Sequence, residues 1–401
     1  MNYGIIAEFN PFHNGHRYIV NALKSSADDT VTAVMSGSFV QRGECACVSV
    51  SDRVKMALSN GVDLVLSLPV PYSTASAELF AKGGVDVLFS TGVIDALGFG
   101  GECDSADALV ECVEVMNTPD FQIALKNRLD EGNSFPKARQ MAFVDCDKSA
   151  CADAIATPNN ILGVEYIKAI LNGGYAYYDG ITERLKVIKR QGVAHDSSHR
   201  AGDICSASAL REMLKGGEAY KDFLPSASYS LLADAVASGK APADYKRLET
   251  AILYKLRTMS VEEIALLPDV TEGLEHRIAA AVKSSVSLDE ILEKIKTKRY
   301  THSRLRRIIL CALLGITKAD AALSVPYVRV LGFNSNGARL LKEMKGRSTL
   351  PIVTKKADLS ALGAAAQRVF ELECCARDIF SLALPVPDES GKEMTDKIII
   401  F

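Results

Sequence analysis

The first third of the chain alternates short apolar runs with amphipathic segments, which is the pattern of βαβ units. Strands are predicted at residues 3–7, 31–35, 63–68, 96–99 and 185–189. Apolar residues at helical spacing fill the intervals, at 15–25, 51–59, 76–88 and 158–171, and another helix begins near residue 206. Because crossovers between parallel strands are right-handed, we expect a parallel sheet with helices on both faces, an α/β Rossmann-like fold.

The pattern changes after about residue 225, where amphipathic helices dominate and two β-like runs follow at 327–331 and 397–401. Residues 117–157 have weak periodicity and several Asp, Asn and Pro residues, so we interpret them as an insertion. The predicted organisation is an α/β domain over 1–225, with the insertion at 117–157, followed by a mainly helical domain over 226–401.

Composition narrows the class of protein. The chain has 401 residues, of which 48% are hydrophobic, and this excludes wholesale disorder. A net charge of -3 argues against a protein that coats nucleic acid along its whole surface, but it allows a local basic patch. No apolar stretch approaches the ~18 residues of a transmembrane helix, and the N-terminus does not resemble a signal peptide. Ten cysteines without a C-x-x-C pair indicate a reduced, cytoplasmic protein.

The most informative motif directly follows the first predicted strand and opens a helix. In it, His13 and His16 lie three residues apart and Gly15 stands between them. At a helix N-terminus, two imidazoles and the backbone amides can surround one anionic group, and the glycine lets the backbone approach it. This arrangement suits the triphosphate of ATP. The alternative is that either ring is a surface donor, because short motifs need structural confirmation.

The strand followed by His13-Asn14-Gly15-His16 resembles the signature of the nucleotidyltransferase superfamily that includes class I aminoacyl-tRNA synthetases. The superfamily's second signature, Ile-Ser-Ser-Thr-x-Ile-Arg, is loosely matched by residues 205–211, CSASALR, with departures at Cys205 and Ala207. Ser208 and Arg211 would face a β- or γ-phosphate. The alternative for Ser206 or Ser208 is a plain helix N-cap. The chain has neither a P-loop nor a G-x-G-x-x-G after a strand, so the nucleotide site must be of another kind.

Seven runs extend the resemblance over most of the chain: AEFNPFHNGHRY, MSGSFVQRGE, LPVPYSTASAELFAKGGVDVL, TPNNILGVEYIKA, IKRQGVAHD, YTHSRLRRIIL and VRVLGFNSNGARLL. In this order they are similar to the bacterial tRNA(Met) cytidine acetate ligase family. The resemblance implies that acetate and ATP, with Mg²⁺ as the expected counter-ion, give acetyl-adenylate and pyrophosphate. The acetyl group would then pass to N4 of the wobble cytidine of elongator tRNA(Met). The chain departs from the family pattern at residues 45–50, Gly101 and Ala194, in loops that would contact tRNA or acetate.

The resemblance also assigns roles to residues. It makes His13 and His16 catalytic and implies an ATP site formed by Ile6, Ala7, Glu8, Phe9, Asn10, Pro11, Phe12, His13, Asn14, Gly15, His16, Arg17, Tyr18, Ile19, Gly100, Asn160, Arg190, Ser208 and Arg211. Gly100 follows the fourth strand, where open α/β sheets bind ligands. The alternatives are a tight turn for Gly100, a helix cap for Asn160 and a solvated charge for Arg190.

A basic segment lies near residue 300. Residues 294–307 contain seven Lys and Arg side chains and no acidic one, with Tyr300 and His302 between them, so a bound RNA base could stack there. The spacing of Leu305, Ile308, Ile309 and Ala312 predicts a helix with Arg306 and Arg307 pointing outward and Arg304 at the margin. The predicted tRNA-binding residues are Lys296, Lys298, Arg299, Arg304, Arg306 and Arg307. The alternative is a solvated charged helix.

Two other functions share these features. A small-metabolite adenylyltransferase has both signatures but transfers the nucleotide itself, and such enzymes are usually far shorter. A nucleotide-sensing RNA-binding protein would bind ATP without turnover. We expect no dedicated carboxylate cluster for a metal and no association with a membrane.

Overall fold

The computed structural model describes residues 1–103, 105–189 and 205–401. Within these residues the strands are β1 Asn2–Ala7, β2 Thr30–Ser36, β3 Phe39–Val40, β4 Glu44–Cys45, β5 Leu64–Leu68, β6 Ala96–Gly101, β7 Leu185–Lys189, β8 Val328–Phe333, β9 Ile352–Val353 and β10 Ile399–Ile400. The main sheet has the order β10-β8-β5-β2-β1-β6-β7, with β9 also paired to β8, and β3 and β4 form a separate hairpin.

The helices of the first half are α1 Asn14–Leu23, α2 Val50–Ser59, α3 Val70–Ser73, α4 Ala77–Ser90, α5 Asp107–Met116, α6 Pro119–Asp130, α7 Phe135–Asp145, α8 Ser149–Ala154, α9 Pro158–Asn172 and α10 Ala207–Gly216. Those of the second half are α11 Ser226–Ala237, α12 Glu249–Thr258, α13 Val261–Ala265, α14 Leu274–Lys283, α15 Leu288–Ile295, α16 His302–Leu314, α17 Lys318–Ala321, α18 Ser335–Arg347, α19 Lys356–Leu359, α20 Ala364–Ser381 and α21 Lys392–Thr395. Short 3₁₀ turns lie at Ile181–Arg184, Lys221–Phe223 and Tyr245–Leu248.

Five parallel strands, in the order β5-β2-β1-β6-β7, form the centre of the sheet. Every residue of β2 and β5 is buried, because helices cover both faces, and such strands are typically continuous apolar runs. The α/β Rossmann-like prediction is confirmed, and each predicted strand of this group overlaps the observed one.

The two faces of the sheet carry separate cores. One core includes Val20 of α1, Val54 of α2, Leu210 of α10 and Leu232 of α11. The other holds apolar residues of α4, α5, α9 and α18, together with α6 to α8 from the predicted insertion. Because these five strands are parallel, their carboxyl ends lie at one shared edge, which is where such sheets bind ligands.

The second half of the chain contributes both to a helical core and to the sheet. Apolar residues of α12 to α16 and α20 form this third core, which also includes residues of the β3–β4 hairpin. The β-like runs predicted near 327 and 397 are β8 and β10, and β8 lies antiparallel beside β5, with Phe333 opposite Leu64. The sheet therefore draws strands from both sides of residue 225, and the domain division there stays a prediction. No helix in the described ranges is long and apolar enough to cross a membrane.

Candidate active site

The two histidines of the first motif cap helix α1. His13 is the N-cap residue, and its Nδ1 accepts a hydrogen bond from the Gly15 amide at 3.0 Å. In return, the His13 amide donates to Nδ1 of His16 at 3.2 Å. This reciprocal arrangement is a capping box in which histidines replace the usual hydroxyl and carboxylate side chains. It places both imidazoles at the N-terminus of a helix, where anions bind favourably.

The same contacts orient the two rings. His13 and His16 stack with their ring centroids 3.8 Å apart, and Phe9 and Phe12 pack against His16 at 5.1 Å and 5.5 Å. Since each Nδ1 accepts a hydrogen bond, the proton of a neutral ring resides on Nε2. In a neutral form of either ring, Nε2–H is therefore the hydrogen-bond donor.

Asn10 adds a third donor close to the histidines. Its side chain is 2% exposed, and its Oδ1 accepts a hydrogen bond from the Cys47 amide at 2.7 Å. Its Nδ2 is buried and has no hydrogen-bond partner among the described residues. A buried donor without a partner is costly, and a bound ligand with acceptor oxygens would satisfy it.

The second signature lies against the first motif. Ser206 is the N-cap of α10 and accepts a hydrogen bond from the Ala209 amide at 3.1 Å, so the capping alternative holds for this serine. Ser208 instead accepts from Arg211 at 3.3 Å, and Arg211 also donates to the Asn10 carbonyl at 3.1 Å. The structure thus brings Arg211 and Ser208 together with the histidine motif.

Gly100 and Asn160 are two further predicted ATP contacts that lie within the described residues. Gly100 lies near the carboxyl end of β6, partly exposed and paired with Ile188. The side chain of Asn160 is 3% exposed and joins α9 to the end of β6, because it accepts from the Glu102 amide at 2.9 Å and donates to the Ala154 carbonyl at 2.8 Å. A contact of Asn160 with ATP stays a prediction. Arg190 lies outside the described residues, as does the predicted loop at 191–203.

The remaining residues of the first motif support its shape. Pro11 and Phe12 are buried, Tyr18 and Ile19 pack partly buried against the core below α1, and Arg17 is exposed. Other members of the segment end strand β1 or fasten its loop: Ile6 and Ala7 belong to β1, Phe9 has the positive φ of 47°, and Asn14 donates to the Asp222 carbonyl at 2.9 Å.

Arg53 of α2 is a positioning residue that the sequence reasoning missed. The side chain is fully buried and donates to four backbone carbonyls, those of Glu8 at 2.7 Å, Ser36 at 2.9 Å, Val48 at 3.3 Å, and Gly37. Burial lowers the pKa of this guanidinium to about 10. These bonds join the ends of β1 and β2 to the loop that follows, so they set the shape of the edge next to His13. An arginine in an amphipathic helix carries no sequence signal of this role.

The basic segment forms the end of α15 and the start of α16, and part of it is not free surface. Arg307 was predicted to point outward, and this is wrong: it is 9% exposed and pairs with Asp269 at 3.2 Å. The reason is that α16 is covered on several sides, by other helices and by the β3–β4 hairpin. Arg304 donates to the Asp269 carbonyl at 2.7 Å and lies over the ring of Tyr300. Arg306 is exposed but bridges to Glu44 of β4.

The residues before α16 are more open. Lys296, Lys298 and Arg299 are exposed, and Arg299 pairs with Glu272 at 3.1 Å. Within the described ranges Lys298 makes no hydrogen bond or ion pair. Lys298 and Arg299 line a cleft of about 420 Å³, and Lys296 lies just before them in the chain. The full lining is Gly132, Glu272, Gly273, Leu274, Arg277, Thr297, Lys298, Arg299 and Tyr300. The cleft therefore combines three cationic side chains with one aromatic ring.

Comparison with known proteins places this site in a family. The family model described as HIGH Nucleotidyl Transferase matches residues 1–395. A tRNA(Met) cytidine acetate ligase of Caldanaerobacter subterraneus subsp. tengcongensis is 38% identical over 394 residues, covering 95% of this chain and 94% of the relative. The chain belongs to the tRNA(Met) cytidine acetate ligase family. A family member of Acetivibrio thermocellus is 35% identical, with 99% of each chain covered.

Solved structures of the tRNA(Met) cytidine acetate ligase family share the whole fold. The apo form of Thermotoga maritima TmcAL superposes with a TM-score of 0.92 at 29% identity, covering 100% of this chain and 99% of that one. The same protein bound with alpha-thio ATP gives a TM-score of 0.90 at 30% identity, with the same coverage. Among the described residues, no group of three or more His, Cys, Asp or Glu side chains is placed to hold a metal ion.

Proposed function

We propose that this enzyme is an ATP-dependent ligase that activates acetate as acetyl-adenylate and transfers the acetyl group to N4 of the wobble cytidine of elongator tRNA(Met). The observation that carries the proposal is the stacked His13–His16 pair, which presents two Nε2–H donors at a helix N-terminus. The family relatives named tRNA(Met) cytidine acetate ligase, matched over nearly the whole chain, support the substrates.

The first half-reaction follows from the donors at this edge. The triphosphate of ATP would lie over the N-terminus of α1, where Nε2–H of His13 and His16 and Nδ2 of Asn10 point toward it. An acetate oxygen attacks the α-phosphorus, and pyrophosphate leaves with the electron pair of the broken P–O bond. The donors stabilise the negative charge that grows on the phosphate oxygens during this displacement. Arg211, held beside Asn10, would pair with the outgoing pyrophosphate.

Mg²⁺ would enter together with ATP. Mg²⁺ prefers six oxygen ligands and commonly keeps substrate phosphates and waters among them, with only one or two carboxylates from the protein. The described residues contain no group of three His, Cys, Asp or Glu side chains that could hold a metal ion, so the triphosphate would supply most of the ligands. Bound there, the ion would neutralise phosphate charge.

For the tRNA we propose the cleft lined by Lys298 and Arg299, together with the exposed Lys296 that precedes them, and with Arg304, Arg306 and Arg307 in a supporting role. The latter three arginines are engaged by Asp269 and Glu44, so they hold α16 in place beside the cleft and the β3–β4 hairpin. Phosphates bind exposed cations through charge, and Tyr300 in the cleft lining offers a ring face for an unpaired base.

The decisive experiment combines ATP, labelled acetate and tRNA and measures labelled N4-acetylcytidine, alongside acetate-dependent exchange between pyrophosphate and ATP. The variant His16→Ala should lose exchange by about 10²–10³-fold, the usual effect of removing one transition-state donor. The matched control is His276→Ala, because His276 is 75% exposed and far from this motif in the chain. Equal activity of the two variants would refute the assigned role of His16.

The same assay tests the alternatives. A small-metabolite adenylyltransferase would consume ATP without any dependence on acetate, and a nucleotide sensor would bind ATP and RNA without releasing pyrophosphate. The match of the family model to residues 1–395 favours the ligase, because it includes the C-terminal helices that a short adenylyltransferase lacks.

The tRNA interface has its own test. Lys298→Ala should weaken tRNA binding and reduce the slope of log affinity against log salt by about 1, because one phosphate contact is lost. Lys283→Ala, which removes an exposed lysine at the end of α14, serves as the control. An unchanged salt slope for Lys298→Ala would exclude this lysine from the interface.

A further inference from the structure

Glu8 is a carboxylate placed where the other groups would bind anions. It follows β1 directly, at the carboxyl edge of the central strand, and it is partly buried. Its Oε1 accepts a hydrogen bond from the Gln41 amide at 3.0 Å, and this is the only hydrogen bond of the carboxylate within the described part of the chain. Its carbonyl is held by Arg53 at 2.7 Å, so the backbone that carries the side chain is fixed. One carboxylate oxygen is therefore oriented and the other is left for a ligand.

Three arginines and one tyrosine from four different elements lie near Glu8. Its ionisation is influenced by the charges of Arg42 from the β3–β4 hairpin, Arg53 from α2 and Arg211 from α10. Burial and the charge of Glu8 together raise the pKa of Tyr166 in α9. Burial raises the pKa of Glu8 above its ordinary value, against the opposing effects of the Gln41 amide and the three arginines. The raised pKa makes the carboxylate a better proton acceptor than a solvated glutamate.

The triphosphate of ATP and acetate do not by themselves explain a carboxylate at this position, because both are anions and like charges repel. The remaining substrate of the proposed reaction is different. The exocyclic N4 amino group of cytosine is a hydrogen-bond donor, and Glu and Asp side chains are its common partners in nucleic-acid recognition. This amine is also a weak nucleophile, since its lone pair is conjugated with the ring, and it must lose a proton when it is acylated.

We propose that Glu8 binds the N4 amino group of the target cytosine and accepts its proton during acetyl transfer. The N4 lone pair attacks the carbonyl carbon of acetyl-adenylate, and the bond from that carbon to the phosphate oxygen breaks. AMP leaves with the electron pair of that bond, and the N4 proton moves to the free oxygen of Glu8. The inference rests on the proposed function and adds to it the residue that recognises and deprotonates the acetyl acceptor.

The test separates the two half-reactions in the variant Glu8→Gln, whose amide oxygen can still accept the Gln41 hydrogen bond but whose side chain cannot take up a proton. Enzyme preloaded with acetyl-adenylate is mixed with tRNA, and N4-acetylcytidine is measured in a single turnover. We expect the transfer rate to fall by about 10²-fold or more. Acetate-dependent exchange is measured on the same variant, and transfer should fall by at least about tenfold more than exchange does. Glu78→Gln is the matched control, because Glu78 is 70% exposed at the start of α4.

Hydroxylamine provides a second readout on the same enzyme. It attacks acetyl-adenylate without needing a protein base, so Glu8→Gln should lose acetohydroxamate formation at least about tenfold less than it loses tRNA acetylation. The single-turnover rate of the wild type should also rise with pH as Glu8 ionises, and this rise should be absent in Glu8→Gln. Glu8→Asp keeps a carboxylate at a shorter reach and should recover part of the transfer rate.

The outcomes are distinguishable. Equal loss of exchange, hydroxamate formation and transfer would overturn the inference and indicate that Glu8 serves the ATP site or binds Mg²⁺ on the triphosphate. A wild-type transfer rate in Glu8→Gln would overturn it as well. Failure of the wild-type enzyme itself to acetylate tRNA would instead refute the proposed function.

Discussion

Replacing Arg53 with methionine tests how the ligand-binding edge of the sheet is held together. The substitution keeps a long side chain but removes hydrogen bonds to four carbonyls. Two of these bonds are fully buried, and each orphaned buried carbonyl costs about 1–3 kcal/mol, or about 2–6 kcal/mol together. Methionine avoids the burial of a cation, which offsets part of this loss, so we expect a net destabilisation of about 3 kcal/mol.

The measurement is urea-induced unfolding followed by circular dichroism, with thermal unfolding beside it. At roughly 1.2 °C per kcal/mol for a chain of 401 residues, the midpoint should fall by about 4 °C. Arg53→Lys keeps a cation with fewer donor directions and should fall between the wild type and Arg53→Met. The control is Arg339→Met, because Arg339 is 53% exposed and its bridge to Glu343 spans 4.0 Å. If the two methionine variants were equally stable, the four carbonyls would not depend on Arg53 and the reasoning would be refuted.

Three further predictions concern other parts of the fold. Asp63 is fully buried and accepts hydrogen bonds from Lys24, Val31, Asn334 and Asn336. Asp63→Ala should therefore lower the free energy of unfolding in urea by about 3–5 kcal/mol. A decrease below about 1 kcal/mol would contradict this. Gly43 has a φ of 77°, and a Cβ added there would lie 2.8 Å from the backbone of α16. Gly43→Ala should therefore destabilise the protein by at least about 1 kcal/mol more than Gly132→Ala does. Gly132 is the control because it also has a positive φ but lies in open space. Burial raises the pKa of Glu373 from 4.5 to about 7, so the folded protein keeps a proton that the unfolded chain releases. Stability should therefore decline as the pH rises from 4.5 to about 7, and Glu373→Gln should flatten that decline in unfolding curves taken across the range.

The central sheet was predictable because its strands are short, buried apolar runs separated by helices of regular period. The prediction succeeded for the five central strands β1, β2, β5, β6 and β7. Strands that are buried on both faces are continuous apolar runs, which are easy to recognise in a sequence. The β3–β4 hairpin was missed because two-residue strands have no period. The antiparallel place of β8 beside β5 depends on contacts more than 250 residues apart along the chain, which no local pattern carries.

The candidate site also has one part that could be predicted from the sequence and one part that could not. His13, Gly15 and His16 are contiguous in the chain, so their joint placement at one helix end could be read from spacing. Arg53 could not be, because its role is to satisfy carbonyls that belong to three other segments. The outward prediction for Arg307 failed since a helical period identifies the most apolar face but not how many neighbours surround the helix. Asp269, its partner, lies in a loop without any recognisable motif.

The sheet order has a consequence for how the protein is made. Strand β5, buried along its whole length in the finished fold, is synthesised more than 250 residues before β8, which covers its outer edge. A nascent chain that has reached residue 225 therefore carries the five central parallel strands, and the apolar edge of β5 is still unprotected. Such borders recruit strands of other molecules. A fragment ending there should self-associate, and adding residues 226–401 as a separate chain should suppress the association if that segment can supply β8.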